Sequence, residues 1–536
     1  MAIINKLLSL ISFILAKANF LVWLLIFGAI YLSLAFIGHT SEDLSLISDD
    51  FIILSVIIVI FLYYLLVKKD IIKFTRDIVF VSVFIIFSAW IPIDNFSGSV
   101  LAADEDGICG IIALFNLFII FLLYIDIMYN GPKMHKIELP FLITLLSWVL
   151  IVSIKCFNFL FLFVIIESIT LLVVTAAALY FAGNGPKLIK PVIQFFVLNL
   201  IISTFYLLGV GLLLFITPYS DDFTLTYSTV YTWLNHVGAI WDETELVNII
   251  LYIKLLCALI LLPVLFKLTL APFSIWIVRV YSELPWIVLL ILMTIYKIVY
   301  ITIFINLFIK VLDFIPNLHE FWTTTSWFFV LPSIFVGCLA YRSQDLKTIL
   351  AFTTVSQISY VIGALIVGDF LAQKYATIYL ILYCMQIFGF IAIFVILQNK
   401  YNFTNLNQLF LIKKYNKIHY YIIFSIIISL AGVPPFAGFF TKYFVFISMY
   451  NSGQLVIAIA GLLSSFFIAI IYLQIALQLM YVKPTHSEAL IPEHSKQENI
   501  SIVVTNEGIS IIRIVNFALV IIFITNLTFF LLFPFI

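Results

Sequence analysis

The stretch Leu261-Leu-Pro-Val-Leu-Phe-Lys-Leu-Thr-Leu-Ala-Pro-Phe-Ser-Ile-Trp276 decides how this chain must be read. It lies inside an overlong apolar run, about 247 to 279, that is able to cross a bilayer, where every backbone amide needs an internal partner. Such a run forms a helix. Pro263 and Pro272 each remove a donor from that helix and crowd the turn before them, and Lys267 sets an ammonium between the two. Interrupted helices persist in membranes where water or neighbouring polar groups satisfy the freed carbonyls, so a lysine at the interruption reads as an ion site. The plainer reading is a lysine that only caps a carbonyl at the kink. A second stretch, Ser429-Leu-Ala-Gly-Val-Pro-Pro-Phe-Ala-Gly-Phe-Phe-Thr-Lys442, repeats the pattern in another overlong run, with Pro434, Pro435 and two glycines marking an unwound patch and Lys442 following it.

Around these stretches the whole chain is apolar. Of 536 residues, 64% are hydrophobic and 10% charged. Runs of roughly 20 apolar residues follow one another about fifteen times, too long for barrel strands, so the fold class is all-α: a polytopic transmembrane helix bundle. No stretch is left for a soluble catalytic domain. The loop charges give the bundle an orientation. Read alternately, one side collects Lys6, Lys17, Lys68, Lys69, Lys133, Lys187, Arg279, Arg342, Lys413 and most other basic residues. The other side receives Lys155 and Lys374 beside acidic clusters such as Asp104-Glu105-Asp106 and Asp242-Glu243. The N-terminus is therefore expected on the basic side and the C-terminus opposite.

Five cysteines stand singly and none makes a CxxC pair, the seven histidines are expected outside the spans, and no glycine-rich phosphate loop occurs. Metal, haem, iron–sulfur, flavin and nucleotide sites are thus not expected in this chain, and neither is nucleic-acid binding. The chain opens directly into apolar sequence without an Arg-rich leader. Its 55 Phe and 27 Tyr, with Lys far outnumbering Arg, fit an AT-rich coding genome such as an organellar one.

A charge at mid-bilayer costs about 2.5–3.5 kcal/mol, so the charges kept there are the place to seek function. Glu167, in Phe161-Leu-Phe-Val-Ile-Ile-Glu-Ser-Ile-Thr170, lies too deep to snorkel; a static ion pair between helices is its alternative role. Lys297 lies mid-span in Met293-Thr-Ile-Tyr-Lys-Ile-Val-Tyr300, where a lysine short of water is able to exchange protons. Lys254 and Lys310 are near enough to helix ends to snorkel. Polar residues suggest a hydrated interior: Gln194, Asn199, Ser203 and Thr204 in one span, and Thr353, Thr354, Ser356, Gln357 and Ser359 in another, although hydrogen bonds between helices explain some of them equally well.

The two broken runs point in opposite directions with four spans between them. This is the pattern of an inverted repeat of five-helix units, each with one discontinuous helix. The expected organisation is N-terminal helices over 1–138, repeats over 139–312 and 325–482, a hydrophilic loop at 483–513 and a last helix at 514–536.

The motifs resemble subunit 2 of NADH dehydrogenase (ubiquinone), the antiporter-like membrane subunits of respiratory complex I. The resemblance runs from about 139 to 450. It rests on Glu167-Ser-Ile-Thr, on Phe266-Lys-Leu-Thr-Leu-Ala-Pro-Phe273 with Trp276, on Lys297 thirty residues after Lys267, on Tyr341-Arg342 with Leu346-Lys347-Thr-Ile-Leu-Ala-Phe-Thr-Thr-Val-Ser-Gln357, and on the stretch ending at Lys442. It implies a non-redox subunit of an NADH:ubiquinone reductase that translocates protons, with flavin, iron–sulfur clusters and quinone in other subunits. Glu167 and Lys267 would be a coupled pair, Lys297 a central relay and Lys442 the exchange site toward one side, with Thr354, Ser356 and Gln357 along the hydrated path. An ion pair at 4 Å is worth about 4 kcal/mol at an effective dielectric of 20, so separating it changes the lysine's hold on its proton. The resemblance also implies the mitochondrial inner membrane, with the basic side toward the matrix. Its implied partners are other membrane-arm subunits, phospholipids and supercomplex neighbours. Ser274 and Gln357 stand where relatives often carry histidine, and nothing before about residue 130 matches. A free-standing cation/proton antiporter, or antiporter-like subunit 4 or 5, shares these motifs.

Overall fold

The computed structural model describes residues 119–120, 122–123, 138–155, 159–181, 189–216, 255–256, 258–305, 326–343, 345–366, 370–401, 417–481 and 506–532. The spans expected before residue 108, together with Lys254, Lys310 and the loop between 483 and 505, lie outside these residues.

The chain divides into two compact units, Met1–Lys155 and Cys156–Ile536. The first contains α1, Glu138–Lys155. Its buried hydroxyls need no partner from another helix, because Thr144, Ser147 and Ser153 each donate to a carbonyl three residues back.

In the second unit every described element is helical. In order these are α2 (Phe159–Phe181), α3 (Ile189–Ile216), α4 (Ala258–Lys267), α5 (Ile275–Glu283), α6 (Trp286–Met293) and α7 (Ile295–Phe304). A mixed helix follows, with a π turn at Ser326–Val330, α8 at Leu331–Val336 and a 3-10 end at Gly337–Arg342. Then come α9 (Leu346–Ile366), α10 (Phe370–Tyr401), α11 (Lys417–Ala431), α12 (Ala437–Asn451), α13 (Leu455–Tyr481) and α14 (Asn506–Leu532). Among the described residues six helices are long and apolar enough to cross a membrane. Both runs read as interrupted are interrupted, between α4 and α5 and between α11 and α12.

Burial sorts these helices. The α6–α7 span is wholly buried and α9 and α10 are 89% buried, whereas α3 is only 33% buried and α2 and α13 44%. The outer helices turn large apolar side chains outward, among them Phe161, Val164, Ile193, Leu208, Leu463 and Phe466, as a lipid-facing surface requires. Lys297 and Gln357 therefore sit on the innermost helices. α10 packs against α9, α12 and both α6 and α7, and so joins the helix of Lys297 to that of Lys442.

Three local readings change. The chain stays helical through buried Pro263, and the first interruption begins only after Lys267. α14 starts at Asn506, inside the stretch expected as loop. His419 is not outside the spans: it lies buried in α11, where its Nε2 is 2.9 Å from Asn516 Oδ1 on α14, and that hydrogen bond explains how an imidazole is kept there.

Candidate functional site

α4 ends in a double closure. The Thr269 amide donates to Phe266 O at 2.9 Å and the Leu270 amide to Leu265 O at 3.1 Å, with Thr269 in the left-handed region at φ 71°. Glycine usually fills that position because a Cβ is strained there. Threonine brings a hydroxyl instead. The helical donor for Leu268 O would be residue 272, a proline with no N–H, and the Thr269 hydroxyl donates to that carbonyl in its place. The helical donor for Lys267 O would be the Ala271 amide, which donates instead to Ser333 Oγ at 2.7 Å. The freed Lys267 carbonyl accepts from Lys297 Nζ at 3.2 Å, and the same ammonium donates to Thr269 Oγ1 at 2.9 Å.

The side chain of Lys267 points elsewhere. Its Nζ has no hydrogen-bond partner among the described residues and stands 5.7 Å over the ring of Tyr300, with the side chain 1% exposed. Glu167 on α2 is the carboxylate close enough to act electrostatically on Lys267. Its Oε1 is buried without a hydrogen-bond partner, and the Thr170 hydroxyl lies 3.4 Å from Oε2. Carboxylate and ammonium are near but not bonded.

The second interruption repeats the first closure. The Gly432 amide donates to Ser429 O at 3.0 Å and the Val433 amide to Ile428 O at 3.3 Å, with Gly432 at φ 82°. The carbonyl two residues before the left-handed residue again accepts an ammonium, as Lys442 Nζ donates to Leu430 O at 2.7 Å. Pro435 follows Gly432 by three residues, as Pro272 follows Thr269. Pro272, Pro434 and Pro435 are exposed at the two breaks. A Cβ on Gly432 would lie 3.3 Å from Lys442 Nζ, and one on Gly438 would collide with the Ser429 carbonyl, so both glycines are needed for close approach. The lysines at corresponding carbonyls are thus Lys297 and Lys442, whereas Lys267 precedes its break and Lys442 follows its own. An ammonium suits the negative end of a half-helix.

On α9, Thr353, Thr354, Ser356, Gln357 and Ser359 are all buried. Thr354, Ser356 and Ser359 donate to carbonyls of their own helix. Two reach outward: Thr353 Oγ1 is 2.9 Å from Tyr472 OH, and Gln357 Oε1 accepts from the Tyr379 hydroxyl. In α3, Asn199, Ser203 and Thr204 likewise bond their own helix.

Sequence reasoning missed Thr269, Ser333 and the clamp on the second break. There Gln386 Nε2 donates to Ser429 Oγ at 2.8 Å and to Asn526 Oδ1 at 3.1 Å, and the Gly438 amide donates to Ser429 Oγ at 3.0 Å. Only Thr269 left a signal, a hydroxyl three residues before a proline in a span. Among the described residues no group of three or more His, Cys, Asp or Glu is placed to hold a metal ion.

Residues 157–468 match the family described as NADH:quinone oxidoreductase/Mrp antiporter, TM. The chain is 24% identical over 468 residues to NADH-quinone oxidoreductase subunit N of Ruthia magnifica subsp. Calyptogena magnifica, across 85% of this chain and 92% of that one. It resembles a chain in the structure of respiratory complex I from Thermus thermophilus with bound aureothin, at 18% identity and a TM-score of 0.62 over 90% of this chain and 98% of that chain. It resembles a chain of the Mrp complex from Dietzia sp. DQ12-45-1b equally, at 17% identity and 0.62 over 86% and 81%. At these identities the likenesses show a shared helical membrane fold.

Proposed function

Because the chain belongs to the NADH:quinone oxidoreductase/Mrp antiporter membrane family, we propose that it is the subunit 2 (subunit N) type of membrane-arm subunit of complex I, and that it carries protons through Glu167, Lys267, Lys297 and Lys442. The observation that carries the proposal is the matched pair of broken helices, each closed by the same hydrogen bonds and each presenting a freed carbonyl to a buried lysine. A static cap would need one lysine per break. Lys267 is a further buried ammonium without a bonded counter-charge, and an arrangement so costly to bury is expected where the charge must move.

In this reading Glu167 acts through space on Lys267, Lys297 holds the first break, and Lys442 exchanges with one aqueous side. The equal spacing of the closures, Thr269 to Pro272 and Gly432 to Pro435, supports the inverted repeat. Redox chemistry belongs to other subunits, which would hold flavin, iron–sulfur clusters and quinone. The AT-rich residue usage supports a mitochondrial inner-membrane location, and the loop charges a matrix-side N-terminus. Neighbouring antiporter-like subunits and supercomplex neighbours are the partners proposed. Phospholipid is proposed as well, supported by an apolar groove of about 610 Å³ lined by Ile193, Val197, Phe266, Pro272 and Arg279.

The likeness to the Mrp chain favours one second reading, a cation/proton antiporter outside complex I. Purification in mild detergent separates the two. Recovery with NADH-oxidising, flavin-containing subunits supports the proposal, and a particle near 61.3 kDa without them overturns it.

A further inference from the structure

The helices packed between those of Lys297 and Lys442 carry buried hydroxyls, among them those of Tyr360, Tyr379 and Tyr383. The α6–α7 span kinks at Thr294 (φ −112°, ψ −87°), three residues before Lys297, and Cys384 Sγ of α10 donates to Thr294 O at 3.8 Å. Cys384 is also an electrostatic neighbour of Lys297. The adjacent residue on α10, Tyr383, is 3% exposed, and its hydroxyl is buried without a hydrogen-bond partner among the described residues. One turn back, Tyr379 stacks on Tyr383 with ring centroids 6.4 Å apart and donates to Gln357 Oε1 on α9. The other end of that amide, Gln357 Nε2, is again buried without a partner. Three residues on, Tyr360 bonds Ser464 at 2.7 Å and packs edge-on against Phe446, one turn after Lys442 on α12.

Buried hydroxyl and amide groups are nearly always hydrogen-bonded, to protein or to ordered water. Tyr383 OH and Gln357 Nε2 are two exceptions, on the facing helices α10 and α9, and α10 packs against the helices of both lysines. Resting on the proton-path reading above, we infer that Tyr383, Tyr379 and Gln357 bind internal water and form the link by which a proton passes between Lys297 and the Lys442 half. The Tyr383 hydroxyl accepts a proton on its lone pair from a donor on the Lys297 side as it releases its own O–H proton to the next water. Bonds made and broken balance, and the ring is left neutral. Gln357 carries no proton: its amide fixes the Tyr379 hydroxyl with its oxygen and a water with its nitrogen, which makes it a positioning residue.

The test uses the assembled complex in vesicles, with proton pumping per electron measured in H2O and D2O for Tyr383→Phe, Tyr379→Phe and, as reference, Lys297→Ala. Phenylalanine keeps the ring and its packing while removing the hydroxyl. Tyr383→Phe is expected to slow pumping-coupled turnover about tenfold and to raise its solvent isotope effect above that of the parent. Tyr379→Phe, which frees Gln357 Oε1, is expected to cause a smaller loss in the same direction. If Lys297→Ala abolishes pumping while both tyrosine variants pump with the parent's rate and isotope effect, the tyrosine link is wrong and the lysine path stands. If Lys297→Ala pumps normally, the path itself falls. Should a variant fail to assemble, infrared difference spectra of the parent complex decide: a perturbed water O–H band on turnover supports the link, and its absence overturns it.

Discussion

Replacing Thr269 separates what its hydroxyl does from what its backbone costs. Thr269→Val keeps the β-branched shape at φ 71° but removes Oγ1, which accepts from Lys297 Nζ at 2.9 Å and donates to Leu268 O. Loss of a hydrogen bond to a charged group is worth about 1.5–3 kcal/mol, and an orphaned buried carbonyl about 1–3 kcal/mol, so the variant loses roughly 2.5–6 kcal/mol at the first break. Thr269→Gly makes the same losses but relieves the left-handed backbone, regaining about 1–2 kcal/mol. Thr269→Ser keeps the hydroxyl. The expected order, in thermal denaturation of the purified complex and in proton pumping per electron, is parent close to Ser, then Gly, then Val. Serine and valine variants indistinguishable in both assays would refute the reasoning, because the hydroxyl would then be idle.

Ser333→Ala strips the acceptor from the Ala271 amide and is expected to cost about 1–3 kcal/mol, read as a lower midpoint of thermal unfolding. Gly438→Ala drives a methyl into the Ser429 carbonyl, and the complex should fail to accumulate on native gels, whereas Gly453→Ala, in open space, should accumulate despite its backbone strain. Asn526→Leu removes the acceptor of Gln386 Nε2 and of the Ser429 hydroxyl. It should loosen α14 by about 1–3 kcal/mol, seen as faster amide exchange at the second break.

The helical architecture was legible because apolar runs of membrane length permit little else, and the breaks were legible because prolines and glycines in such runs have few other uses. Lys267, Lys297 and Lys442 stood out on cost alone, and all three are buried. What the sequence hid is long-range. Ser333 meets Ala271 across 62 residues and Asn526 meets Ser429 across 97, and one polar residue in an apolar span does not name its partner. Pro263 misled because a proline need not end a helix whose packing holds the turn before it, and His419 because Asn516 supplies its partner from a helix far along the chain. The reading of Lys267 and Lys442 as matched lysines followed from each sharing an overlong run with a proline-interrupted stretch. Hydrogen-bond geometry instead matches Lys297 with Lys442.

The central claim is that protons cross this chain through the lysines at its broken helices. The most direct measurement is the number of protons pumped per electron by the assembled complex in sealed vesicles, compared between the parent and the Lys267→Ala and Lys297→Ala variants. A lower ratio is expected in both variants while the complex stays assembled. An unchanged ratio in both would contradict the claim.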